Sequence, residues 1–234
     1  MIDADSGRAN MEAMISSSDG QKGARGRRSA NMYELRVTLP ESEPEIWRRI
    51  HVPAKANLGW LHAVLQVAIG WTNSHLHMFN HFGQIISDPA FEMDEFEGDP
   101  PVADEAKIRI NQLLSKPGDN LLYEYDFGDS WVHVVMLERI RQSSEAEKGK
   151  AVCVAGARAC PPEDCGGLGG YYELLKVMKK PKHPEHKSTK ELLGRPFKPG
   201  HFSIDEVNPW LAKLRWPRVT EAALRRVLMA RDED

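Results

Sequence analysis

The stretch Leu121-Leu-Tyr-Glu-Tyr-Asp126-Phe-Gly-Asp-Ser-Trp131-Val-His-Val-Val135 decides the fold. Leu121, Tyr123, Tyr125 and Phe127 alternate with Leu122, Glu124 and Asp126, Gly128-Asp129 supplies turn residues, and alternation resumes from Trp131 to Ile140. Period-two alternation interrupted by a turn pair marks an antiparallel hairpin with one buried face. A two-residue loop at Gly128-Asp129 pairs Glu124 with His133 and Asp126 with Trp131, and a four-residue loop keeps the same faces. A three-residue loop breaks them. The expectation is that Glu124, Asp126, Trp131 and His133 share one side, where a carboxylate orients an imidazole beside an aromatic wall. The plainer alternative is a cross-strand ion pair next to a packed tryptophan.

Upstream, Tyr33, Leu35, Val37 and Leu39 alternate with Glu34, Arg36 and Thr38, and Ile46 to Val52 follows a Pro40 to Pro44 turn, which predicts a second hairpin. Asn57 is placed to cap a helix carrying Leu61, Val64, Leu65, Ala68 and Ile69, with Gly70 at its end. A short strand is expected at Gln84 to Ile86. Asp88 to Glu105 holds eight acidic and no basic residues and reads as a loop with an exposed face, or more sharply as a lid.

Ile108 to Ile110 reads as a short strand and Asn111 to Lys116 as a helical turn. Downstream of the long hairpin, Val152 to Val154 reads as a strand. Tyr171, Leu174, Leu175 and Met178 mark an amphipathic helix, and Lys182 to Gly200 is a Pro-, Lys- and His-rich excursion. Ser203 with Glu206 has capping-box spacing, and Thr220 opens a last helix with Leu224, Val227 and Leu228 on one face. The fold class that follows is α+β, a single compact domain of antiparallel hairpins packed with several helices. Residues 1–31 form a flexible basic tail, residues 32–214 the domain, and residues 215–234 a C-terminal helical extension.

With 234 residues, 41% of them hydrophobic, the chain can bury a core without metal or disulfides. Its 31 basic and 34 acidic residues give a net charge of -3, which excludes a protein whose whole surface binds polyanions. Three cysteines, an odd number, make no disulfide framework. The first thirty residues lack the apolar run of a secretory signal, and no stretch is long enough to span a membrane, so a reducing cytoplasm is expected.

Several residues are candidates for chemistry. His75, His77 and His81 share a face if their segment is a strand, and two imidazoles so placed are able to ligate zinc with further donors. Cys160-Pro-Pro-Glu-Asp-Cys165 spaces two thiols by four residues and, with His75 and His77, would complete a mixed zinc site. No cofactor is required by the composition, and zinc is the one ion this set would take. Glu163 and Asp164 add carboxylates beside the thiols. The glycines after Cys165 lack the Lys-Ser or Lys-Thr of a phosphate loop. Lys179, Lys180, Lys182 and Lys187 form the strongest local positive field, a contact for nucleic acid or another polyanion, although few aromatics interleave for base stacking.

The segments Tyr33-Glu-Leu-Arg-Val-Thr-Leu39, Ile46-Trp-Arg-Arg-Ile50, Gly70-Trp71 with His75-Leu-His77, Tyr125-Asp-Phe-Gly-Asp-Ser-Trp-Val-His133 and Cys160-Pro-Pro-Glu-Asp-Cys165-Gly-Gly together resemble the plasmid pRiA4b ORF-3-like family. The resemblance covers residues 32 to 214. It implies a compact α+β domain associated with plasmids and insertion elements, without a settled activity. Some relatives carry a resolvase label, which implies a serine nucleophile. Ser42 between two glutamates is poorly placed to approach a phosphodiester.

The leading expectation is thus a cytoplasmic binding or accessory module of plasmid or transposon origin, with an unidentified protein or small ligand as partner. Its cleft would gather His75, His77, Glu124, Asp126, Asp129, Trp131, His133, Glu163 and Asp164. The alternatives are a zinc-assisted hydrolase and a DNA-binding accessory factor.

Overall fold

The structure, a computed structural model, describes residues 31–91, 101–194, 196–217 and 220–233. The basic leader lies outside the described residues except for Asn31. Strands β1 (Asn31–Leu39) and β2 (Ile46–Pro53) form the expected first hairpin, followed by helix α1 (Leu58–Ile69). Then come β3 (His77–His81), β4 (Gln84–Ser87), the two-residue β5 (Ala103–Asp104) and the single turn α2 (Ile110–Leu113). The long hairpin is β6 (Asn120–Tyr125) with β7 (Trp131–Gln142), and β8 (Val152–Ala157) completes the strands. Helices α3 (Gly167–Met178), α4 (His186–Leu193), α5 (Ile204–Leu211) and α6 (Glu221–Glu233) close the chain.

Among the described residues the strands make one sheet in the order β5-β4-β3-β6-β7-β1-β2-β8, antiparallel except between β4 and β5, so the fold is α+β. One sheet face carries Tyr33, Leu35, Val37, Ile50, Tyr123, Tyr125, Val135 and Leu137, all buried in the core with α1. The other face is laced with charge pairs such as Arg49 to Glu138 and Arg36 to Glu45. Helix α1 begins where Asn57 Oδ1 accepts the Trp60 amide and ends at Gly70 in the left-handed conformation, as its sequence predicts.

Four local expectations change. Of the expected strand Ile108 to Ile110 only Arg109 pairs, in an isolated antiparallel bridge with Asn57, and the helical turn starts at Ile110. The stretch read as an irregular excursion contains α4, whose short amphipathic pattern is obscured by flanking prolines. Ser203 precedes α5 without a side-chain cap, because the Glu206 carboxylate is taken by His201 at 2.8 Å. The last helix packs into the main core through Leu224, Val227 and Leu228, and Arg231 donates to the Trp71 carbonyl at 2.8 Å. Ser42 is structural: its Oγ donates to the Leu39 carbonyl and accepts the Ile46 amide, which fixes the β1–β2 turn.

At the β8 edge, the Asn208 side chain from α5 accepts from the Cys153 amide at 2.8 Å and donates to the Cys153 carbonyl at 2.9 Å, filling the place of a neighbouring strand. Arg48 in β2 is only 3% exposed despite its charge. Its guanidinium donates to the carbonyls of Ala68, Trp47 and Ala157 and lies 4.0 Å over the Phe202 ring. It thereby ties the end of α1 to β2, β8 and the segment before α5. Arg48→Ala leaves buried carbonyls without donors and is expected to cost about 3 kcal/mol, read as a lowered urea midpoint with an unchanged slope.

Candidate functional site

The β6–β7 connection places the site. Tyr125 pairs with Trp131, Glu124 with Val132 and Tyr123 with His133, so the loop is Asp126 to Ser130. That register corrects the expected one by a single step on β6. Asp126 and Ser130 adopt left-handed backbone at φ 59 and 53, and Asp126 Oδ1 accepts the Gly128 and Asp129 amides. An Asx-type turn therefore does what Gly128-Asp129 was expected to do. Tyr123, Tyr125, Trp131 and His133 face inward together, while Glu124 lies on the opposite face and accepts from Ser130 Oγ. Glu124 is no part of the cleft.

Three of the expected residues meet. His75, Asp126 and Asp164 come from three distant segments, and one donor atom from each lies within 4.8 Å of the others. His75 Nε2 is buried, 3.3 Å from Asp164 Oδ1 and 3.6 Å from Asp126 Oδ2, without hydrogen-bond geometry to either. Neighbouring residues hold these segments in place. Tyr125 Oη donates to Glu163 Oε1 at 2.5 Å and accepts from the Ser74 amide at 2.9 Å. Glu163 also takes the Thr72 hydroxyl, and Trp71 Nε1 donates to the Pro161 carbonyl at 3.2 Å. Asp129 accepts the Gly166 amide at 3.1 Å. At Gly167, φ is +66 and a Cβ would lie 2.7 Å from the Asp129 carbonyl oxygen, so this close approach requires glycine.

The other candidates go elsewhere. Trp131 and His133 are buried beside Trp71, and the void next to His133 is about 10 Å³, the size of one water. The three cysteines are free, and burial pushes their thiols above the usual range. Among the described residues neither Cys160 nor Cys165 joins a group of metal-capable donors, so the expected Cys/His set does not assemble. Lys179, Lys180, Lys182 and Lys187 are exposed, with Lys187 3.7 Å from Glu191.

His77 belongs to a second polar centre that sequence reasoning missed. Its Nε2 lies 2.8 Å from Glu105 Oε2, and its ring stacks on His62 with centroids 3.4 Å apart. His62 Nδ1 contacts Tyr123 Oη and its Nε2 contacts Asn73 Oδ1, while Gln66 Nε2 also donates to Tyr123 Oη. Gln66 donates that bond and Asn73 offers only an acceptor, so His62 is neutral with its proton on Nε2. Glu105, expected on an exposed acidic loop, is 7% exposed, and residues 92–100 of that loop lie outside the described residues. The available signal was the pair His62 and Gln66, polar residues four apart on an otherwise apolar helix. A cavity of about 390 Å³ adjoins this centre.

The fold and the two centres define an α+β protein in which His75, Asp126 and Asp164 cluster beside one hairpin turn. The chain belongs to the plasmid pRiA4b ORF-3-like protein family, whose match covers residues 31–206. It is 38% identical over 167 residues to an uncharacterized protein, y4hQ, of Sinorhizobium fredii, covering 70% of this chain and 82% of that one. It is also similar to the crystal structure of a protein of unknown function, MM3350, from Methanosarcina mazei Go1. That likeness has a TM-score of 0.66 and 33% identity over 76% of this chain and 98% of the other.

Burial pulls the imidazole of His62 down to about 3 and those of His77 and His133 to about 4. Unfolded, each takes a proton near 6.5, so the unfolded state binds more protons between those values and stability falls as pH falls. Glu105 acts oppositely: burial raises it to about 7, so its contribution is present at low pH and lost as pH rises through 7. Three imidazoles outweigh one carboxyl. Urea midpoints are expected to drop from about pH 6.5 to about pH 4 by a few kcal/mol of stability. A flat profile over that range would contradict the buried neutral imidazoles.

Proposed function

We propose that this protein is a ligand-binding module that holds a divalent cation at His75, Asp126 and Asp164. The observation that carries the reading is the convergence of one imidazole nitrogen and two carboxylate oxygens that do not satisfy one another. A nitrogen and two hard oxygens suit zinc or manganese, and three protein donors leave a position open for water or an outside ligand. Asp164 is exposed, so that open position faces solvent. A cation would also relieve the repulsion between the two carboxylates.

Three unpaired thiols suit a reducing cytoplasm, and no helix among the described residues is long and apolar enough to cross a membrane. An accessory role in plasmid or transposon biology is supported by the family's description. Nucleic-acid contact has the exposed lysines of α3 and α4 as its support and is the weaker reading.

The test is calorimetric titration of chelator-treated full-length protein with zinc and with manganese. One equivalent is expected to bind, with affinity reduced about tenfold or more in His75→Ala and in Asp126→Asn. Asn at position 126 keeps the oxygen that accepts the turn amides and tolerates the left-handed backbone, so the fold survives the change. Cys160→Ser is expected to bind as the parent does. Absence of saturable binding, or equal affinity in His75→Ala, would overturn the proposal.

A further inference from the structure

We propose that the cavity between α1, the start of β3 and the N-terminal part of α6 binds a small organic cation, a primary amine carrying an uncharged oxygen. Its partners would be Glu105, His77, Asp88 and Trp60. This cavity adjoins the cation centre: His75 lines it, whereas Asp126 and Asp164 do not.

The charge of the walls selects the sign of the ligand. Asp88, Glu105 and Glu221 line the cavity, and the only Lys or Arg among its described lining residues is Arg225. Arg225 is bound by Glu221 at 2.7 and 3.0 Å, so among the described lining residues Asp88 and Glu105 have no Lys or Arg partner, and Glu105 meets only the His77 imidazole. Trp60, Trp216 and Phe91 supply aromatic walls, to whose faces an ammonium is drawn. An anion would meet the carboxylates of Asp88, Glu105 and Glu221.

The hydrogen bonds left open select the functional groups. His62, on the same wall, has both ring nitrogens engaged, by Tyr123 and Asn73. His77 and Trp60 are each 3% exposed, and His77 Nδ1 and Trp60 Nε1 have no hydrogen-bond partner among the described residues. Leaving a buried donor or acceptor unpaired is costly, and a ligand that pairs it recovers that cost. With Glu105 ionised, His77 donates from Nε2 to it and Nδ1 becomes an acceptor for an ammonium N–H. Trp60 Nε1 can only donate, which calls for an oxygen on the ligand. Gly59 belongs to the same design: a Cβ there would lie 2.9 Å from Glu105 Oε1, so its absence makes room for the carboxylate.

The outer wall is particular to this chain's C-terminal part. Trp216, Thr220, Glu221, Leu224 and Arg225 lie beyond residue 206, where the family match ends. The inner wall, with His62, His77 and Glu105, falls inside the match. The ligand's polar end would thus be read by the part covered by the family match and its remainder by the extension.

The test is calorimetric titration of the full-length protein with phenylethanolamine, with phenylethanol as the neutral analogue and mandelate as the anionic one. A chelator is present throughout, so failure of the cation centre does not affect the result. The amine is expected to saturate one site, phenylethanol to bind about tenfold more weakly or worse, and mandelate not to bind. Glu105→Gln is expected to weaken the amine about tenfold while leaving phenylethanol unchanged. Affinity for the amine is expected to rise from about pH 6 to about pH 8 as Glu105 ionises, with His62, His77, Asp88 and Asp104 as its titratable neighbours. If circular dichroism shows Glu105→Gln unfolded, Asp88→Asn decides in its place, with a loss of about threefold expected. Absence of amine binding, equal binding of amine and phenylethanol, or unchanged amine affinity in the deciding variant would overturn the proposal.

Discussion

The turn at Asp126 is the constraint on which the rest of the molecule depends. Its carboxylate accepts the Gly128 and Asp129 amides, which holds the connection to five residues and fixes Tyr125 opposite Trp131. Moving that register by one residue would turn every side chain of one strand to the other face. Tyr123 and Tyr125 would then leave the core, taking with them the hydroxyls that meet His62, Gln66, Ser74 and Glu163. A single side chain thus sets the geometry of two centres, and its second oxygen belongs to one of them.

Those centres differ in electrostatic character. The His75 centre sits at the surface, where Asp164 is exposed and charge is screened by water. The His77 centre is buried, and desolvation there opposes charge on both His62 and Glu105. Two histidines one residue from being adjacent in sequence differ in burial: His75 precedes the strand and is partly exposed, while His77 is its first residue and is buried.

Much of the architecture is legible in the sequence because it rests on local chemistry. Alternation in residues 33–39 and 46–52, the Asn57 cap and the Gly70 stop each act within a few residues and appear where expected. The hairpin register does not follow so simply, because the left-handed positions fall on Asp126 and Ser130 and not on Gly128. His75, Asp126 and Asp164 were legible as candidates, but their meeting depends on long-range anchors, Trp71 to Pro161 and Tyr125 to Glu163. Glu105 was hidden by composition: among eight acidic residues nothing local marks it as turning inward. The Cys160 and Cys165 spacing suggests zinc, but spacing carries no information about which way the thiols face, and among the described residues neither joins a group of metal-capable donors.

The Asn208 amide at the edge of β8 has a consequence for how the molecule meets its surroundings. A sheet margin with free main-chain groups is a template for strand exchange and fibrous stacking. Here one donor and one acceptor of Cys153 are already occupied by a side chain, so growth of the sheet past β8 is blocked at that point. Recognition on this flank falls to side chains, and concentrated solutions gain protection against runaway ribbon formation from a single planar amide.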